Sequence, residues 1–176
     1  EMTSSLVGSE MCIRDRNKEE ALFGFIGNIR KTRCVAIFDS PGNLKQQGLV
    51  TLFANSDYII CPYHYDRTTI PSTATFIAFL QKLKNVMAGK MNARLILVPN
   101  RHDARVGRRS ELMLWEETRE TFSRYGLVTP KINSRADMER FCTLSDLDGQ
   151  LEVTQAAFDT IFKEIFGHIE ADTENG

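Results

Sequence analysis

Three short apolar runs, each closed by proline, constrain this chain more than any other feature: VAIFDSPG at Val35–Gly42, DYIICP at Asp57–Pro62 and RLILVPN at Arg94–Asn100. In the first, Val35–Phe38 runs straight into a single carboxylate, Asp39, and then into a Ser-Pro-Gly break. An unbroken apolar run suits a strand covered on both faces, as in the middle of a parallel sheet. Pro41 and Gly42 stop that strand and leave Asp39 at its carboxyl end, the edge where open α/β sheets bind ligands. Helical patterns separate the three runs. The expected class is therefore α/β, a mostly parallel sheet flanked by helices. Right-handed crossovers require all three strands to be parallel, with their carboxyl ends on one edge.

The patterns between the runs supply the helices. Asn17–Arg30 carries Leu22, Phe25, Ile26 and Ile29 at helical spacing, and Leu44–Ala54 carries Leu49, Val50 and Phe53 on one side. Pro71 opens a helix of about 71–88 whose stripe is Phe76, Phe79, Leu80, Leu83 and Met87, with Gly89 as its stop. After an arginine-rich loop, Ser110–Tyr125 puts Leu112, Trp115, Arg119 and Phe122 on one side and ends at Gly126. A short strand at 127–132, a helical turn at 135–141 and a helix at about 152–166 follow. That last helix is expected to bury Phe158, Ile161, Phe162 and Ile165. The acidic tail, 168–176, is expected to fray.

Length and balance fit one domain over 17–167: 176 residues, 42% hydrophobic and 26% charged. A net charge of −1 excludes a protein that coats nucleic acid by bulk charge, while leaving room for a local basic patch. No apolar run is long enough to span a bilayer, so no membrane association is expected. Cys12, Cys34, Cys61 and Cys142 show no CxxC pairing and read as reduced thiols, which suggests the cytoplasm. Residues 1–16 have no structural period. Within them LVGSEMCIRDR, Leu6–Arg16, is similar to the translation of a transposase sequencing adapter, the alternative being a disordered leader. On the adapter reading the protein's own sequence starts near Asn17.

The order VAIFDSPG, short helix, DYIICP, long helix, and a third strand ending in Asn100 resembles the carboxyl-terminal two-thirds of a ParA-like partition ATPase. These are deviant Walker-box P-loop proteins, and the nearest likeness is to the type found on Bacteroidetes mobile elements. The resemblance covers roughly Asn17–Phe166. It implies a P-loop NTPase-like three-layer fold with the first strand and the P-loop missing. It implies that Asp39 is the catalytic carboxylate near the γ-phosphate, holding the attacking water or, through water, Mg²⁺. Pro41 shapes the adjoining loop, and Gly42 stands where the family's second proline would be. Asn100 and Pro130 would lie on the side of the adenine base. The plainer readings stay open beside these: Asp39 as a helix N-cap, and Asn100 as a turn residue after Pro99.

The departure from the family is large. No GxxxxGK[ST] and no KGGxxK[ST] occurs in the chain. In the family that glycine-rich loop cradles the phosphates of ATP and coordinates Mg²⁺. The chain on its own is expected neither to bind ATP tightly nor to hydrolyse it. Arg101, Arg105, Arg108 and Arg109, with Lys131, Arg135 and Arg140, form the one basic concentration, and the resemblance makes them candidates for non-specific DNA contacts. His64, Asp66, His102 and Asp103 lack the spacing of a closed metal site and read as polar loop residues.

The expected whole is an ATP-dependent homodimer that binds DNA without sequence preference, works with a ParB-like or other partition partner, and is cytoplasmic and nucleoid-associated. A non-catalytic receiver-like or flavodoxin-like interaction module is the alternative of another class. A MinD-like positioning ATPase is a further one, disfavoured by the acidic end at Glu170–Gly176.

Overall fold

The structure, a computed structural model, describes residues 16–32, 34–42, 44, 48–103, 105, 108–139 and 148–173. Residues 1–15, Arg140 and Cys142 lie outside the described residues, and with them the leader and one of the candidate DNA contacts. The described chain divides into two compact units. One takes in the residues up to Asp57 together with Leu80–Ala93, the other Tyr58–Phe79 and the residues from Arg94 onward.

In the first unit, helix α1 (Arg16–Ile29) buries Leu22 and Ile26, one turn apart, as the spacing predicts. Its end is held by side chains. Thr32 Oγ1 donates to the Ile29 carbonyl at 2.7 Å, and Arg30 reaches the Asn55 carbonyl at 2.6 Å and Asp57 at 3.1 Å. Helix α2 (Leu49–Ala54) is shorter than the expected 44–54. Gly48 has φ +85°, a conformation that no helix interior carries, so the helix starts only after it. Leu49, Leu52 and Phe53 are buried, and Val50 faces outward.

The expected first strand does not form. Val35–Phe38 pairs with no strand among the described residues, and Val35 and Ile37 are 67% and 81% exposed. Only Phe38 finds a partner, meeting Phe25 edge to face at 6.4 Å. Apolar character suits a run to a buried strand but does not supply the neighbours whose backbone would hold it there. Asp39, Pro41 and Gly42 follow in the same irregular stretch, all exposed.

The second unit holds the sheet. β1 (Tyr58–Tyr63), β2 (Arg94–Pro99) and β3 (Leu127–Val128) lie side by side in that order, all parallel. This is an α/β fold with a three-stranded parallel sheet flanked by helices. β2 is central and buried from Leu95 to Pro99, whereas β1 alternates, with Ile59 and Tyr63 buried and Ile60 exposed. An edge position suits Pro62, which has no N–H to give a second neighbour. Tyr63 is in register with Pro99, so both strands end together.

Helix α3 (Thr69–Val86) links β1 to β2 and contributes its two halves to the two units. Its start is capped by Asp66, whose carboxylate accepts the Thr68 and Thr69 N–H groups at 2.8 and 2.6 Å. Gly89, φ +83°, lies just past its end. The stripe it buries is Thr73, Ile77, Leu80 and Leu83, with the expected Phe76, Phe79 and Met87 only half-buried.

Helix α4 (Arg109–Ser123) runs as expected, with Phe122 buried and Leu112, Trp115 and Arg119 half-buried beside it. A 3-10 turn, Ala136–Glu139, precedes helix α5 (Asp148–Thr173), which runs past the expected 152–166 into the acidic tail. On one face of the sheet Ile96, Val98 and Ile132 pack with Ala157 and Ile161 of α5. Burying each branched side chain there contributes roughly 1.5–3 kcal/mol. The expected α5 stripe is corrected by one position. Val153, Ala157, Ile161 and Ile165 face the sheet, while Phe158 and Phe162 point outward. Two stripes at i, i+4 compete on this helix, and the small side chain of Ala157 admits the close approach that phenylalanine would block. Tyr58 Oη donates to the Glu164 carbonyl at 3.1 Å and Arg94 pairs with the Glu164 carboxylate at 2.6 Å, pinning α5 to both strands.

Candidate functional site at the carboxyl edge of the sheet

Beyond the paired ends of β1 and β2, the backbone stays in register for several residues. Asn100 N–H donates to the Tyr63 carbonyl at 2.8 Å, and Ile132 N–H donates to that of Pro99 at 2.8 Å. His102 then bridges in parallel to Asn133, donating to the Ile132 carbonyl at 3.0 Å and accepting from Ser134 N–H at 2.9 Å. This ladder brings three segments together at one edge: Tyr63–Asp66, Asn100–Asp103 and Thr129–Ser134. Helix α4 stands beside them.

The side chains gathered there are mostly aromatic. Tyr65 stacks on Trp115 at 5.4 Å, and His102 stands edge-on to both rings, at 5.7 and 5.4 Å. Tyr63, fully buried, packs edge to face on Tyr65 and on Phe122, and the two tyrosine hydroxyls lie 3.2 Å apart. Lys131 Nζ sits 5.9 Å over the Tyr65 ring and pairs with Glu116. Arg119 closes the base of the cluster by donating to the Thr129 carbonyl at 2.9 Å.

Charge states follow from these contacts. Burial, and the bond to Tyr65, push the Tyr63 phenol far above its ordinary range. The hydrogen bond from Lys131 holds the Glu116 carboxyl below its usual value. Burial, reinforced by the Lys131 charge, lowers His102 below 6.5, so its imidazole is neutral at pH 7. Thr69 and Thr68 hydrogen bonds hold Asp66 well below the carboxylate range, and Arg105 brings half-buried Asp103 to about 2. Burial raises the half-buried Cys61 thiol to about 11, which keeps it protonated and unreactive.

The sequence-predicted residues are divided by the structure. Asn100 and Pro130 both lie on this edge, half-buried, and the Asn100 side-chain oxygen accepts Arg101 N–H at 2.8 Å. Arg101 has φ +51°, a conformation that side chains rarely adopt. The Asn100 side chain carries two amide N–H donors besides that oxygen, the donor–acceptor pair a planar polar ligand would need. Asp39, Pro41 and Gly42 belong to the other unit.

The basic residues are partly spent on neighbours: Arg105 is bidentate to Asp103 at 2.9 Å, Lys131 holds Glu116, and Arg135 lies 4.0 Å from Glu152. Arg101, Arg108 and Arg109 are exposed. Arg108 serves helix α4 through its backbone, its N–H donating to the Glu111 carboxylate at 2.8 Å. His64 approaches Asp66 at 3.9 Å, and among the described residues no three His, Cys, Asp or Glu side chains gather as a metal site would need.

Sequence reasoning missed the aromatic cluster. Tyr65 and His102 were visible only as loop residues, and Trp115 only as part of a helix stripe. The available signal was the place of Tyr65 and His102 shortly beyond two strand ends that pair in register, Tyr63 with Pro99. Chemically the edge offers stacking faces, an amide and a paired cation, a set that suits a planar polar ligand better than it suits acid–base or nucleophilic chemistry. Comparison of the chain with protein-family models, with curated proteins and with solved structures finds no match.

Proposed function

We propose that this chain is the base-side and DNA-side portion of a ParA-like partition ATPase, acting in segregation or maintenance of a plasmid or conjugative element. The observation that carries the reading is the meeting of Asn100 and Pro130 at the carboxyl edge of a parallel α/β sheet. Those are the two positions that the family resemblance assigns to the adenine side. A P-loop NTPase-like fold would place a further strand and the glycine-rich loop upstream, giving Val35–Phe38 a strand neighbour that it does not have among the described residues.

The residues present fit the base of ATP and not its phosphates or Mg²⁺. No glycine-rich lysine loop occurs in the sequence, and Asp39 stands exposed on an unpaired stretch. Under this proposal Asp39 takes up its role only when that stretch is paired as a strand. Arg101, Arg108 and Arg109 supply exposed cations for DNA phosphates, and Arg105, Lys131 and Arg135 join them by exchanging a carboxylate for a phosphate. The active form is an ATP-dependent homodimer on DNA with a ParB-like partner, in the cytoplasm at the nucleoid. Among the described residues no helix is long and apolar enough to cross a membrane.

The test uses the protein extended by its native upstream sequence. Asn100→Ala is expected to weaken ATP binding about tenfold, roughly 1.4 kcal/mol, by removing the amide that meets the adenine edge. ATP affinity unchanged by that substitution, in a protein that binds ATP, would remove Asn100 from the site.

A further inference from the structure

We infer that His102 is a proton-operated latch at the carboxyl edge of the sheet: neutral, it holds the Tyr65–Trp115 stack against the strand-end segments, and protonated, it lets Trp115 go. The inference concerns the aromatic cluster and is independent of the nucleotide reading.

The geometry is that of a ring used as a wedge. His102 meets both Tyr65 and Trp115 edge-on, and its backbone is fixed on both sides by Ile132 and Ser134. Its Nδ1 is buried and has no hydrogen-bond partner among the described residues. The neutral imidazole tolerates this position as an aromatic ring among aromatic rings. An imidazolium does not, because both of its nitrogens become donors and need acceptors.

The charges around it decide the balance. Helix α4 brings Glu116 and Arg119, and the segment after β3 brings Lys131. The segment after β1 brings Tyr65, flanked by His64 and Asp66, with buried Tyr63 behind it. On its own segment stands Asp103, already bidentate to Arg105. Asp66 is committed to the start of α3. Glu116 is the carboxylate to which an imidazolium could turn, and Lys131 already holds it. Protonated His102 must therefore compete with Lys131 for Glu116, and the ring leaves its edge-on seat to do so.

The sign follows from linkage. The ordinary value, about 6.5, is the one His102 takes when released, and burial and Lys131 lower it in the latched arrangement. The latch is whole above about pH 6.5 and is lost as pH falls through the lower, latched value.

Trp115 is the one tryptophan of the chain, so its fluorescence reports this cluster alone. Titrating the full chain downward from about pH 8 is expected to give one fluorescence step with its midpoint below about 6.5, at constant far-UV circular dichroism. Lys131→Gln is expected to raise the midpoint and Glu116→Gln to lower it, each by on the order of half a pH unit. His102→Phe should abolish the step, and His64→Gln should leave it in place. The proposal is overturned by a step that survives in His102→Phe or disappears in His64→Gln, by a midpoint that Lys131→Gln does not raise, or by dichroism lost together with fluorescence. Should His102→Phe not fold, the opposite shifts in the Lys131 and Glu116 variants decide the matter.

Discussion

At Gly126 the turn out of α4 passes so close to β2 that a Cβ would stand 2.4 Å from the Leu95 carbonyl oxygen and 2.9 Å from the Leu95 Cβ. A methyl group there must push apart the helix end and the central strand that the connection joins. Gly126→Ala is expected to lower stability by about 1–3 kcal/mol, read as a shift of the urea midpoint, with the cost of overpacking as its cause. A midpoint shift corresponding to less than about 0.5 kcal/mol would contradict the close approach. The sequence announces this residue as a helix stop, and α4 does end just before it. The tight contact is illegible there, because it depends on which strand lies underneath. Asn100 shows the same limit. Its place after a buried strand is readable, while its bond to Arg101 and the strained backbone of that arginine are not.

Among the elements, the instructive pair is Val35–Phe38 and Arg94–Pro99. Both are apolar runs closed by proline, yet one is exposed and unpaired and the other is the buried centre of a sheet. Composition fixes what a run tolerates, and neighbours fix what it does. β2 has a partner on each side, Tyr58–Tyr63 and Leu127–Val128, and the face formed by Ile96 and Val98 is covered by α5. Stability should follow that difference. In the chain as it stands, Val35→Thr and Ile37→Thr are each expected to change the unfolding free energy by less than about 0.5 kcal/mol. Ile96→Ala is expected to cost about 2–5 kcal/mol. A cost above about 1.5 kcal/mol for either threonine variant would mean that Val35–Phe38 is buried after all. Periodicity located the helices well, because a stripe at helical spacing is a local property. It misjudged which stripe of α5 faces the sheet, since phenylalanines outweigh alanine on any hydrophobic scale but not in a close helix–sheet contact.

For the molecule as a whole, the described residues give a parallel sheet, a carboxyl edge with Asn100 and Pro130, and an aromatic cluster around His102. The class of fold could be read from the apolar runs, but only two of the three, Asp57–Pro62 and Arg94–Asn100, became strands of the sheet. What gathers at the edge could not be read, because Tyr65, His102, Trp115 and Lys131 come from segments far apart in the chain and meet only through the register of β1 with β2 and of β2 with β3. The central proposal is that Asn100 and Pro130 lie on the base side of a ParA-like partition ATPase whose phosphate loop these 176 residues do not contain. The direct measurement is ATP turnover by the chain of 176 residues, with and without Asp39→Ala, in magnesium and with DNA present. The account predicts no turnover above background from either protein. Turnover by the chain that Asp39→Ala abolishes would place the phosphate site within these residues and contradict the account.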